Sequence, residues 1–293
     1  MSPREIALAV IVAAIWGFNF VPMRWGVAEV PPLLLTGLRY FFAAVPAVFF
    51  VRRPAVGLKL LVAYGLAIGV CQFGLLFIAL KLGMPAGLAS IVMQLQAFFT
   101  VLLAVLLFGE NLKPANIIGG AVAFAGIATI AADKIGSAAL VPLLITIISA
   151  LFWGTGNILA KRAGRIDMLS FVVWLSLVAP VPLFLLSLLI EGPEAVPFAL
   201  AHISWVGAGS ILFMAYAATI FGYAVWGMLL ARHPANTVSA FSLLVPVAGL
   251  AAAAIFLRET VTPVEIAGST LVLVGLVVNF LGSRTAVATV SPA

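Results

Sequence analysis

The chain aligns with itself. A shift of 149 positions carries Pro85 onto Pro234, Ala86 onto Ala235, Ser90 onto Ser239, Glu110 onto Glu259, Pro114 onto Pro263, Gly119 onto Gly268 and Gly126 onto Gly275. Toward the N-terminus the shift is 137, so that Trp16-Gly17 falls on Trp153-Gly154 and Arg24 on Lys161. The change between the two shifts places a 12-residue insertion in the second copy, around Glu191 to Ser204. The expected division is residues 1–134 for the first copy, 135–284 for the second and 285–293 for a tail. If each copy crosses a membrane an odd number of times, the second must run upside down relative to the first. Inverted repeats of this kind place a binding site at their interface, near the bilayer midplane.

Composition supplies the membrane. Of 293 residues, 65% are hydrophobic and only 8% charged, and the mean hydropathy is +1.28. A soluble domain carries about 25% charged residues. A spanning helix needs about 20 mostly apolar residues. Reading between charges and Pro/Gly breaks predicts ten of them, over 6–26, 32–51, 58–80, 86–108, 115–132, 139–160, 168–190, 206–230, 235–257 and 263–282. The runs are continuously apolar rather than alternating, which excludes the closed barrel, the other spanning structure. The fold expected is therefore all-α and polytopic, with two inverted five-helix repeats.

Ten spans put both termini on one side. Arg4, Arg52, Arg53, Lys59, Lys113, Lys161, Arg162, Arg165, Arg232 and Arg284 fall in loops on that side, against Arg24, Lys81, Lys134 and Arg258 on the other. The positive-inside rule then predicts cytoplasmic termini. The net charge of +6 is dispersed over short loops and gathers on no single element, so no nucleic-acid partner is expected. The single cysteine, Cys71, lies within an apolar run and cannot form an internal disulfide. The first apolar run is too long for a signal-peptide core and carries the repeated Trp-Gly pair, so a retained helix is expected there.

Prolines and glycines mark hinges and seams. Pro246 is mid-span, where it removes a backbone hydrogen bond and frees a carbonyl; either a packing kink or a direct role in the site follows. Pro46, Pro180 and Pro182 are expected to bend the second and seventh spans. The fifth and tenth spans carry Gly119, Gly120 and Gly126, and Gly268, Gly275 and Gly282, with almost no polar side chains. Small residues let helices approach closely in lipid, so these two read as a brace outside the pathway.

Intramembrane polar groups are costly and usually face the bundle interior. The inventory is Asn19 near Trp16, Asn157 near Trp153, Gln72, then Ser90, Gln94 and Gln96 on the fourth span. Tyr216, Tyr223 and Trp226 lie on the eighth, and Ser239 and Ser242 on the ninth. Ser90 and Gln94 are four apart and share a helix face. From this inventory the substrate-lining set is expected to be Trp16, Asn19, Gln72, Ser90, Gln94, Trp153, Asn157, Tyr216, Tyr223, Ser239 and Ser242. Neutral donors and acceptors with aromatic walls suit a small zwitterion or polar metabolite; helix-to-helix gluing by Ser and Gln is the alternative. Trp16 and Tyr40 could instead belong to an interfacial aromatic belt. Arg39 is the one charge well inside a span. It either holds a carboxylate or snorkels to the outer interface, and its distance from the span start favours snorkelling.

No Asp or Glu occupies the middle of a span, so a buried proton-carrying carboxylate is not expected and facilitated diffusion becomes the simpler mode. Glu110 and Glu259 each precede a proline by four residues and are expected to face the N-terminus of the helix that follows. No Walker motif, His-rich metal spacing or nucleophile elbow is present, so no enzyme activity, cofactor or metal is expected.

With these residues in view, the chain resembles the drug/metabolite transporter superfamily in its ten-helix EamA-type branch. The carrying segments are Ile15-Trp16-Gly17-Phe18-Asn19-Phe20, Gly37-Leu38-Arg39-Tyr40, the stretch from Met84 to Leu112, Ser242-Leu243-Leu244-Val245-Pro246-Val247 and Leu257-Arg258-Glu259-Thr260. Within that branch it is similar to bacterial exporters of O-acetylserine and cysteine and, more distantly, of aromatic amino acids. The resemblance implies a bacterial inner-membrane secondary transporter that exports amino acids and related metabolites by alternating access. It also implies a central cavity lined by spans one to four and six to nine. The expected partners are a small-molecule substrate and membrane lipid, with the chain a monomer or weak homodimer. A multidrug or organic-cation exporter would need a membrane carboxylate, a sugar-phosphate or nucleotide-sugar exchanger several buried cations, and a non-transporting scaffold no matched polar stripes.

Overall fold

The structure is a computed structural model that describes residues 1–164 and 166–285. The expected tail lies outside the described residues except for Thr285, and so does Arg165, one of the charges used to orient the chain. Among the described residues, ten helices are long and apolar enough to cross a membrane. They are α1 (Pro3–Glu29), α2 (Pro32–Phe49), α3 (Leu58–Lys81), α4 (Ala86–Phe108), α5 (Pro114–Asp133), α6 (Leu140–Ala163), α7 (Met168–Glu191), α8 (Trp205–Arg232), α9 (Thr237–Leu257) and α10 (Pro263–Gly282). The insertion of the second copy folds as a short helix, Ala195–His202, between α7 and α8.

Contacts between glycines and their neighbours display the inversion. A Cβ on Gly119 of α5 would lie 2.5 Å from the carbonyl oxygen of Gly275 on α10, and one on Gly126 would lie 2.5 Å from that of Gly268. Gly119 is the repeat mate of Gly268, and Gly126 of Gly275. A contact between i and the mate of j is thus answered by one between j and the mate of i, the signature of a two-fold relation. The same holds between α1 and α9 and between α6 and α4. A Cβ on Gly17 would meet Ala248 Cβ at 2.5 Å, and one on its mate Gly154 would meet Cβ of Phe99, the mate of Ala248, at 2.9 Å. The α5–α10 pair is fastened further by an Asn116–Asn279 hydrogen bond of 2.6 Å and a Lys134–Glu265 ion pair of 2.9 Å.

Regular helix gives way at matching depths in the two repeats. α3 takes a π-helical course over Gly65–Gln72 and α8 over Phe213–Phe221. α4 tightens to 3-10 helix over Met93–Leu95 and α9 over Ala240–Leu243. Such departures mark functional segments more often than chance packing does. The prolines stand beside breaks rather than at their centres. Pro246 lies within regular helix just after the 3-10 segment, and α4 breaks likewise although Ala97 occupies the matching position. The bend in α7 falls over residues 176–179, and Pro180 opens the helical segment that follows. α2 loses its regular helix after Ala44, and Pro46 leads into the 3-10 turn Ala47–Phe49.

On the face opposite the termini, helix N-termini are tied by carboxylates. Proline at an N-cap offers no side-chain acceptor, so the first-turn amides must find one elsewhere. Pro85 caps α4, and Glu259 accepts from the amides of Ala86 at 2.7 Å and Gly87 at 2.9 Å. Pro31 caps α2, and Glu191 accepts from Leu33 at 2.7 Å and Leu34 at 3.1 Å. Glu29 accepts from Ser204, which itself caps α8. This corrects the expectation for Glu259: it serves α4, not the helix that follows it, whose first turn is closed by Thr262 and Glu265. Glu110, expected to face α5, instead pairs with Lys161.

Candidate functional site: a central cavity between the repeats

Between the two repeats lies a cavity of about 330 Å³, at the low end of the ~300–1,000 Å³ usual for small-molecule sites. Its lining comes from α1 to α4 and α6 to α9; α5 and α10 contribute nothing to it. The lining runs from Met23 and Leu76, in the half of α1 and α3 away from the termini, to Ala160, Met168 and Leu230, close to helix ends on the face that carries the termini. The three carboxylate ties lie at the helix ends of the opposite face.

Nine of the eleven residues expected to line the site do so: Trp16, Asn19, Gln72, Gln94, Trp153, Asn157, Tyr223, Ser239 and Ser242. Ser90 does not. It is fully buried where α4 meets α9, and its hydroxyl donates to the carbonyls of Gly87 at 2.7 Å and Pro246 at 3.4 Å, so it serves packing across the repeat interface. Tyr216 does not either. It is 39% exposed on the outer side of α8, because the π-helical course there turns the face that a regular helix would show the cavity.

The irregular segments supply the site's anchors. A π-helical turn leaves carbonyls without their regular partners, and helices of the other repeat take them up. The Trp16 indole N–H donates to the Ala218 carbonyl of α8 at 2.8 Å. Reciprocally, the Ser149 hydroxyl of α6 donates to the Gln72 carbonyl of α3 at 2.6 Å. Trp16 stands at 5.3 Å from Tyr223 and 5.0 Å from Trp226, ring centre to ring centre, forming an aromatic cluster on the cavity wall. On the other side, Asn157 Nδ2 donates to Gln96 Oε1 at 2.6 Å and Thr100 Oγ1 at 3.0 Å, which fixes its amide. Gln94 Nε2 donates to the Ser90 carbonyl at 3.4 Å.

Arg39 departs from the snorkelling expectation. It is 3% exposed, lines the cavity, and packs its guanidinium 3.9 Å over the Phe73 ring. The cause is local: α2 is enclosed by α3, α7 and α8, so no path leads the side chain to the interface. Tyr40 is buried beside Phe73, not at an interfacial belt. The expected lining set omits Tyr64, and also Gln96, which the polar inventory names; both line the cavity. Tyr64 stands at the head of the π-helical segment of α3 and Gln72 at its foot, so the face they share depends on a change of helix phase that no local pattern announces. No Asp or Glu is among the lining residues.

A family model described as the EamA-like transporter family matches residues 3–132 and again 140–281. A "Probable amino-acid metabolite efflux pump" of Salmonella typhimurium is 43% identical, over 97% of both chains. Its counterpart of the same description in Escherichia coli is 41% identical over the same shares. A "Probable terminal-alkyne amino-acid exporter" of Streptantibioticus cattleyicolor is 26% identical over 93% of this chain and 92% of its own. A solved crystal structure superposes with a TM-score of 0.62 at 20% identity, covering 97% of this chain and 99% of that one, a likeness of fold. With one family unit matched in each half and two full-length relatives above 40% identity, this chain belongs to the EamA-like transporter family.

Proposed function

We propose that this protein exports amino acids and related small metabolites across the bacterial cytoplasmic membrane, with both termini in the cytoplasm. Transport proceeds by alternating access of two inverted repeats, down the substrate's own gradient. The observation that carries this reading is the cavity. It lies between the repeats and is lined by amides, hydroxyls and aromatic rings from both, together with Arg39. The full-length relatives described as amino-acid metabolite efflux pumps support the same substrate class. A cationic drug would meet Arg39 and no carboxylate among the lining residues, so the organic-cation reading fits poorly. A proton carrier would need a titratable acid in the pathway, and the lining supplies none.

The test is transport in proteoliposomes loaded with a panel of labelled amino acids, with and without a pH gradient. Flux of neutral amino acids that does not depend on the gradient is expected. Flux of cationic dyes alone, or none of any solute, would overturn the proposal.

A further inference from the structure

Two buried groups on the wall of the cavity lack partners, and they are of opposite kind. Arg39 is 3% exposed, and its guanidinium makes one hydrogen bond, from Nη2 to Thr219 Oγ1 at 3.3 Å. Its Nε and Nη1 find no acceptor among the described residues. Asn19 is 5% exposed, at the point where α1 breaks, and its Oδ1 finds no donor among the described residues. Both residues line the same cavity. They do not satisfy each other, so they stand farther apart than one hydrogen bond. The protein therefore holds ready a charged double donor at one place and a neutral acceptor at another, within one small chamber.

An unmade hydrogen bond in a buried site is costly, and more so for a charged group. A structural arginine would be paired by the fold, as Lys134 is by Glu265. Here the fold brings Phe73 under the guanidinium plane and leaves Nε and Nη1, both buried, without an acceptor among the described residues. A guanidinium with unmet N–H donors is a group that takes a carboxylate through charge-assisted hydrogen bonds. Asn19 Oδ1 is an acceptor for an N–H donor. Trp16 lies three positions earlier on the same face of α1 and leads the cluster with Tyr223 and Trp226, whose ring faces favour a cation.

We infer that Arg39 and Asn19 are the two poles of the recognition site, Arg39 binding the carboxylate of the substrate and Asn19 its ammonium group. The inference rests on the transport reading above and narrows it. The cavity takes molecules that carry a free carboxylate and a protonated amine together, and the side chain between them is left to the aromatic and methionine-lined wall. Amino-acid amides, esters, N-acyl derivatives and simple amines fall outside this class.

The experiment uses purified full-length protein in proteoliposomes. Efflux of a labelled mixture of neutral amino acids is competed with three unlabelled mixtures: the same amino acids, their carboxamides and their N-acetyl derivatives. The free amino acids should compete at least ~10-fold more strongly than either blocked set, as expected for loss of one charge-assisted hydrogen bond. Arg39→Gln should raise KM and bring amino acids and carboxamides to equal competition. Asn19→Ala should do the same for the N-acetyl set. A purely structural Arg39 would lower activity on all mixtures alike and leave the ratios unchanged. Equal competition by carboxamides against the wild-type protein overturns the inference while leaving the transport reading intact. Absence of any amino-acid flux in the wild type overturns the transport reading itself. If Arg39→Gln does not fold, the wild-type ratios still decide.

Discussion

Single residues carry marks of the duplication that differ in chemistry but not in backbone. Gly109 ends α4 in the left-handed conformation at φ 65°, and its mate Arg258 ends α9 at φ 53°. Glycine adopts this conformation freely, whereas a side chain there costs roughly 1–2 kcal/mol. Arg258→Gly should therefore raise the thermal midpoint of the detergent-purified protein, and Gly109→Ala should lower it. Equal midpoints for all three proteins would show that the strain is relieved elsewhere. At this scale the polar inventory could be read from sequence because intramembrane polarity is rare; nine of the eleven residues chosen line the cavity. The two exceptions differ in cause. Tyr216 lies where α8 changes from α to π and helix phase slips, whereas Ser90 lies in regular helix and faces α9 across a close crossing. Arg39 shows the complementary limit, since whether a long cation can reach an interface depends on which helices surround it.

Elements were easier to read than their irregularities. All ten spans follow from apolar length, and even the short helix Ala195–His202 lies in the stretch where the two repeat registers part. The brace of α5 and α10 follows from glycine spacing alone, because backbone contact requires the missing Cβ. Gly126→Val would place side-chain atoms against the Gly268 carbonyl and Leu271. It should destabilise the protein by about 1–3 kcal/mol, the usual cost of overpacking. It should leave KM unchanged, because α5 and α10 line no part of the cavity; a change in KM without loss of stability would place the brace in the pathway after all. The π and 3-10 segments were not readable. Pro246 signals one of them, yet α4 has the same break without a proline, so the irregularity belongs to the architecture and the proline accommodates it. The π segments of α8 and α3 pair with the other repeat, through Trp16 on Ala218 and Ser149 on Gln72, and such long-range bonds leave no local pattern.

At the scale of the whole molecule the two repeats are alike in sequence and unlike in what their ends do. On the face opposite the termini Glu259 holds the first-turn amides of α4, while Arg24 donates to the Leu80 carbonyl at 2.5 Å. On the terminal face their mates, Glu110 and Lys161, hold each other. If alternation exchanges the roles of the repeats, then in the reverse state Glu110 takes the first turn of α9 and Glu259 turns to Arg24. Glu259→Gln removes a charged acceptor worth about 1.5–3 kcal/mol. Hydrogen exchange of the amides at Ala86 and Gly87 should then accelerate while amides of the α5–α10 brace keep their protection. Unchanged exchange would exclude the tie as a latch. The self-alignment shows which groups are mates, but not which partner each holds, because the two copies carry like residues there. The central claim is tested most directly by paired spin labels in a Cys71→Ser background, in lipid nanodiscs. One pair, at Leu82 and Val261, reports the face opposite the termini, and the other, at Asn111 and Ala231, reports the terminal face. On adding a transported amino acid, a longer distance should appear at the first pair as a shorter one appears at the second. Distances that stay fixed at both faces, or lengthen together, would contradict the account.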